Sequence, residues 1–218
     1  MKTLLKNIHT LVTCDDADRV LHGVDVLFDG GVIAGVGSFE ASAADETIDA
    51  SNLIVYPGLI NTHHHLYQYF TRNLPQVQGL ELFDWLTALY DIWANLNEDT
   101  VRLSSFCGMA ELMKYGCTTC FDHHYVFPRN AGDLLQAQFG AAETLGIRMV
   151  SSRGSMSLSK KDGGLPPDSV VQTTEEILKD SQIAIETWHD ASPFSMRQVV
   201  LAPCSPFSIT GELMKQSA

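Results

Sequence analysis

From about residue 53 onward, short apolar runs bounded by breakers alternate with helix-length segments, and a chain with that rhythm has few ways to fold. Leu53–Ile60 reads as a buried strand. Leu80–Trp93 reads as an aromatic-rich helix, and Asn97-Glu98-Asp99 offers capping chemistry for a second helix that runs through Tyr115 and stops at Gly116. Cys117–Phe121 reads as a strand, Ala131–Leu145 as a helix closed by Gly146, and Ile147–Ser151 as a third strand. Thr173-Thr174-Glu175-Glu176 opens a helix to about Trp188, Gln198–Ala202 is a fourth strand, and Thr210–Gln216 starts another helix. Strands joined by such helices form parallel β/α units, because a parallel neighbour is reached only through a crossover. Four units suit an open doubly wound sheet or part of a barrel, and the rhythm alone does not choose between them.

Residues 1–55 have a different texture. Leu4–Thr13 is rich in strand formers, and Val24–Phe28 alternates apolar and polar positions before Asp29-Gly30-Gly31 turns into Val32–Val36. The segment reads as part of a small β-sandwich. The remainder, 56–218, then carries the four β/α units.

Net charge is -12, and an acidic surface repels phosphate backbones, so nucleic acid is not an expected partner. No run approaches the roughly 18 apolar residues of a membrane span, so no membrane partner is expected either. The N-terminus lacks a signal-peptide core, and five cysteines without a pairing pattern read as reduced thiols of a cytoplasmic protein.

The densest chemistry is Pro57-Gly58-Leu59-Ile60-Asn61-Thr62-His63-His64-His65, at the C-terminal end of the first parallel strand. Catalytic groups of β/α folds gather at that end. Residues two apart on a strand share a face, so His63 and His65 converge while His64 points away and packs behind the strand. Two neutral imidazoles on one face are half of a zinc site, with iron(II) as the alternative metal.

The stretch from Pro57 to Gln68 resembles the first-strand motif of the amidohydrolase superfamily, Pro-Gly-x-x-Asp/Asn-x-His-x-His. The resemblance runs along the whole chain and is greatest to the cytosine, guanine and s-triazine deaminase branch. Leu66-Tyr-Gln-Tyr-Phe-Thr-Arg72, Asp122-His-His-Tyr-Val-Phe-Pro128 and Arg153-Gly-Ser-Met-Ser157 most resemble 8-oxoguanine deaminases. That likeness implies an α/β, TIM-type (β/α)8 barrel and one zinc ion per subunit, held by His63, His65, a third histidine and an aspartate. It implies a cytosolic protein, commonly a homo-oligomer. The third histidine and the acid–base Glu and His of such enzymes sit on later strands. The chain is therefore expected to be the first half of a longer barrel, which a typical length of about 250 residues also suggests. By itself it is expected not to complete a catalytic site.

The resemblance implies hydrolytic deamination of a purine-like heterocycle, with 8-oxoguanine converted to urate and ammonia. Gln68 is the foremost candidate for orienting that ring, because the resemblance places a substrate-binding Gln there and an amide both donates and accepts. Arg72, His123, His124 and Arg153 are further candidates at strand ends, as are Cys204 and Phe207 after the fourth strand. Each has an ordinary alternative role: surface charge, hydrogen-bonded support, or packing. Pro206 precedes Phe207 where guanine deaminases carry an Arg, which counts against a plain guanine deaminase. Related activities remain as alternatives: guanine or isoxanthopterin deamination, or s-triazine hydrolysis. A different class, an inactive binding or assembly module, is the third.

Cys117-Thr-Thr-Cys120 lacks a second pair for a zinc ribbon, and Gly35-Val-Gly37 lacks the third glycine of a dinucleotide loop. Phe83, Trp85, Leu86, Leu89 and Trp93 form a helical stripe that reads as core.

Overall fold

Asp29-Gly30-Gly31 turns the chain because both glycines take positive φ, 59° and 87°, which side chains resist. The turn joins β4 (Val24–Asp29) to β5 (Val32–Gly37) as an antiparallel hairpin. A computed structural model describes residues 1–218, in two compact units, Met1–Gly58 and Leu59–Ala218.

In the first unit, β1 (Lys2–Ile8) pairs antiparallel with β4 and parallel with β6 (Glu46–Asp49), giving the order β5-β4-β1-β6. A second sheet runs β3-β2-β7 from β2 (Thr10–Val12), β3 (Val20–Leu21) and β7 (Ile54–Val55). Ile8, Leu11, Val26 and Ala50 form one apolar cluster that draws on both sheets.

The second unit holds β8 (Leu59–His64), α1 (Leu82–Trp93), α2 (Glu98–Lys114), β9 (Cys117–Asp122) and α3 (Leu134–Leu145). It continues with β10 (Arg148–Ser155), α4 (Thr174–Trp188), β11 (Arg197–Pro203) and α5 (Gly211–Ser217). The strands form one parallel sheet in the order β11-β10-β9-β8, so neighbours in sequence are neighbours in space. Local signals set the helix ends. Asn97 and Thr100 make a reciprocal capping box at α2, and Thr173 and Glu176 make another at α4. Gly146 closes α3 at φ 73°.

Leu53–Ile60 is not one buried strand. Pro57-Gly58 separates β7 from β8, and the two belong to different sheets. Ile54 is 66% and Ile60 65% exposed. The apolar run reflects side chains on faces that nothing in this chain covers, and hydrophobicity alone does not distinguish that from burial.

Two clusters hold the second unit. Met109, Cys120, Leu135, Phe139 and Met149 pack α2 and α3 on the sheet. Tyr67, Leu89, Tyr90, Trp93 and Val101 tie α1 and α2 to the segment after β8. Gly154 marks a close approach: its N–H donates to the His124 carbonyl at 2.9 Å, and an added Cβ would lie 2.6 Å from Tyr125 Cβ. No helix is long and apolar enough to cross a membrane.

Candidate metal centre

β8 delivers its histidines at the C-terminal end of the sheet, with His64 paired in register to Asp122 of β9. The Nε2 atoms of His63 and His65 face each other at 3.3 Å, with ring planes 86° apart. His65 Nδ1 lies 2.8 Å from the His123 carbonyl oxygen. A carbonyl only accepts, so Nδ1 carries the proton and the Nε2 lone pair points toward His63. Two nitrogens hold that spacing when a proton or a cation lies between them. A tetrahedral zinc with Zn–N distances of about 2.0–2.1 Å places its ligand nitrogens about 3.3–3.4 Å apart, so the donor pair fits zinc. Burial holds the His65 ring below the usual imidazole value, at about 4, against the opposing pull of the His123 carbonyl. The ring is therefore neutral at pH 7, as a ligand must be. No third His, Cys, Asp or Glu stands in ligating position beside the pair.

Around the pair, His123 stacks between His63, at 4.4 Å between centroids, and Phe121, at 4.3 Å. Its Nε2 lies 3.4 Å from the Thr62 carbonyl oxygen. Leu66–Thr71 forms a short 3-10 helix that brings Gln68, and Arg72 just after it, to a hollow of about 280 Å³ shared with His63, His64 and His65. Gln68 Nε2 donates to the Tyr67 hydroxyl at 3.2 Å, leaving its carbonyl end free. The Arg72 guanidinium lies over the Tyr69 ring at 3.9 Å. The structure thus gathers His63, His65, Gln68 and Arg72, with His123 stacked alongside. His64 also borders the hollow, and its Nδ1 is buried without a partner.

Two other candidates are placed elsewhere, and strand alternation is the reason. His124 is fully buried: its Nε2 donates to the Val126 carbonyl at 3.0 Å, and Gln138 of α3 approaches its Nδ1 at 3.4 Å. Arg153 is on the face of β10 that also carries Ser151, toward the helices. It stacks on Phe127 at 4.0 Å and bonds Gln172 at 2.7 Å and Asp180 at 3.3 Å. The sequence suggested both as substrate contacts; the structure assigns them to the layer between sheet and helices. Cys204 and Phe207 do not border the hollow either. Burial raises the Cys204 thiol to about 11, which keeps it neutral, and Phe207 packs edge-on against Phe83 at 5.2 Å.

Sequence reasoning missed Asp122, Gln138, Tyr67 and Tyr125. Asp122 is fully buried, accepting from the Leu66 N–H at 2.6 Å and from Gln138 Nε2. Burial raises its carboxyl to about 7. A carboxylate ending an apolar strand was the available signal. Tyr67 and Tyr125 present their rings edge-on to His65, at 6.2 and 5.5 Å. Nothing in their spacing marks them.

Burial depresses the His124 ring to about 3, so its contribution to stability is complete above about pH 6.5 and fades as pH falls toward 3. The window is worth roughly 5 kcal/mol. His124→Phe is therefore expected to be most destabilising at pH 7, and the gap to wild type is expected to narrow on acidification. Urea denaturation at pH 7, 5.5 and 4 measures it; a gap that widens toward pH 4 contradicts the buried neutral ring.

Comparison with known proteins agrees with this geometry. The model of the Amidohydrolase family matches residues 54–218. The 8-oxoguanine deaminase of Pseudomonas aeruginosa is 42% identical over all of this chain, which covers 48% of that protein. The hydroxydechloroatrazine ethylaminohydrolase of Pseudomonas sp. strain ADP is 39% identical over 99% of this chain and 48% of its own length. The chain thus spans about half the length of these curated relatives. Among solved structures, the atrazine chlorohydrolase of Arthrobacter aurescens TC1, complexed with zinc, superposes with a TM-score of 0.93 at 31% identity. That match covers 99% of this chain and 49% of the other. The His-x-His strand end, the parallel β/α order and these likenesses together establish that the chain belongs to the amidohydrolase family.

Proposed function

We propose that the chain is the metal-binding part of a zinc-dependent aminohydrolase that releases ammonia from a purine-like heterocycle, 8-oxoguanine in the first instance. The observation that carries the reading is the 3.3 Å approach of two Nε2 atoms at the C-terminal end of a parallel strand. The zinc in a relative with a TM-score of 0.93 supports the metal, and the 42% identity to an 8-oxoguanine deaminase supports the substrate. The coverage of those relatives supports a (β/α)8 barrel whose first four units are residues 56–218, with residues 1–55 forming part of a β-sandwich.

A zinc ion, when bound, supplies a hydrolytic nucleophile at neutral pH. His63 and His65 would hold it, and the His123 carbonyl keeps the His65 ring turned so that its Nε2 would be the donor. Gln68, fixed at its amino end by Tyr67, offers its carbonyl to an N–H on the edge of a flat ring. Arg72 offers a cation for a ring carbonyl at the border of the same hollow. The carboxylate that would move a proton between nucleophile and ring is not among the residues gathered there. Asp122, the nearest buried one, faces Gln138 in the helix layer.

Ammonia release from 8-oxoguanine, guanine, isoxanthopterin and hydroxylated s-triazines, assayed on the complete polypeptide containing these residues, tests the reading. Turnover of 8-oxoguanine with the highest kcat/KM is expected, together with its loss on chelation of the metal. The 39% identity to an ethylaminohydrolase favours a second reading, s-triazine hydrolysis. Release of an alkylamine from a triazine, without reaction on any purine, replaces the first reading with the second.

A further inference from the structure

Three consecutive groups of β9 and the residue after it grip the chain around His65. The Asp122 carboxylate accepts from the Leu66 N–H at 2.6 Å, the His123 N–H donates to the His64 carbonyl at 2.7 Å, and the His123 carbonyl accepts from His65 Nδ1 at 2.8 Å. The first of these is a buried carboxyl, and burying such a group is expensive unless it is well partnered. Its second oxygen takes Gln138 Nε2, at 2.5 Å, and Gln138 Oε1 in turn takes the Ser151 hydroxyl at 2.5 Å. Asp122, Gln138 and Ser151 are all fully buried. The chain of bonds therefore starts on β10, passes through α3 and ends on the backbone next to a proposed metal ligand.

We propose that Asp122 is a positioning residue for the metal site: braced by Gln138 and Ser151, its carboxylate fixes the Leu66 amide and the adjoining His123 carbonyl, and so fixes the direction of His65 Nε2. The inference rests on the metal-site reading above. With residues 66 and 123 held from behind, the His65 ring has one Nδ1–H acceptor and one direction for its lone pair. With Asp122 removed, the Leu66 N–H is left buried without an acceptor and the two strand ends are free to shift. Loss of an outer partner of a ligating histidine typically weakens metal binding about 10–100-fold.

Zinc affinity measured by chelator competition tests this on wild type, Asp122→Ala, Asp122→Asn, Gln138→Leu and Val199→Ala. The last removes buried bulk from β11 beside Ser151 while leaving every hydrogen bond of the relay in place. Asp122→Ala and Gln138→Leu are expected to bind zinc about 10–100-fold more weakly. Asp122→Asn is expected to bind zinc more tightly than Asp122→Ala and more weakly than wild type: its Oδ1 still accepts from Leu66, but turning the Gln138 amide to meet the new N–H sets its oxygen against the His124 Nδ1 lone pair. Val199→Ala is expected to lose stability and keep its affinity. In the metal-free protein, nitrogen NMR of the His65 ring is expected to show a single Nδ1–H tautomer in wild type and a mixture in Gln138→Leu. If Asp122→Ala does not fold, Gln138→Leu and the ring spectrum carry the test. Wild type that binds zinc while both relay variants bind it equally well overturns this inference alone. Wild type that binds no zinc overturns the metal-site reading, and this inference with it.

Discussion

His65→Ala is expected to weaken zinc binding by more than the roughly 100-fold upper range for loss of an outer partner, because it removes a ligand itself. In the complete polypeptide it is expected to abolish ammonia release. His65 Nε2 faces His63 Nε2 at 3.3 Å, and no third ligand stands beside them to hold a cation without it. His63→Ala is expected to cause the same loss of zinc, but the two variants should differ in stability. His63 is exposed, so its truncation is expected to move the unfolding free energy by no more than about 0.5 kcal/mol. His65 is partly buried, donates to the His123 carbonyl and touches Tyr67 and Tyr125 edge-on, so its truncation also loosens the fold. Metal analysis and urea denaturation on the two variants separate these effects. Full zinc occupancy in either variant contradicts the proposed ligand pair.

Trp93→Ala is expected to be the most damaging packing change, at about 3–5 kcal/mol. Trp93 is the largest fully buried side chain. Its ring meets Tyr67 at 5.2 Å, Trp85 at 5.5 Å and Tyr90 at 5.8 Å, all edge-on, and its Nε1 donates to the Thr71 hydroxyl at 3.3 Å. Truncation opens a void between α1 and the 3-10 helix that carries Gln68. It also frees Tyr67, which holds the Gln68 amide and borders His65. The same variant is therefore expected to raise KM for the heterocycle in the complete polypeptide. Guanidinium denaturation and steady-state kinetics read the two effects. A loss under about 1 kcal/mol contradicts the packing role.

Much of this was legible in the sequence where a local cause acts alone. Asn97, Thr173 and Gly146 set helix ends through their own side-chain or backbone chemistry, and the helices end there. His63 and His65 converge at the end of β8, as a period of two predicts, but His64 borders the same hollow instead of packing behind the strand, because the pairing with β9 is irregular between Asn61 and His64. The failures have a common cause: they depend on which face a strand presents to which neighbour. Leu53–Ile60 looks like one apolar strand but crosses the boundary between two sheets at Pro57-Gly58. His124 follows β9 and Arg153 lies near the end of β10, yet their side chains turn to the helix layer, where Gln138 and Asp180 meet them. Asp122 was passed over because its partners, Leu66 and Gln138, are 56 and 16 residues away. Tyr67 and Tyr125 take their meaning from neighbours distant in sequence, above all the His65 ring that both meet edge-on.

The proposed metal site is one cation shared by two imidazoles, His63 and His65. Crystals of the protein prepared with one equivalent of zinc, measured on both sides of the zinc absorption edge, test it most directly. A single anomalous peak is expected within bonding distance of both His63 Nε2 and His65 Nε2, with His65 Nδ1 still on the His123 carbonyl. A peak elsewhere, or zinc bound through Nδ1 of either ring, contradicts it.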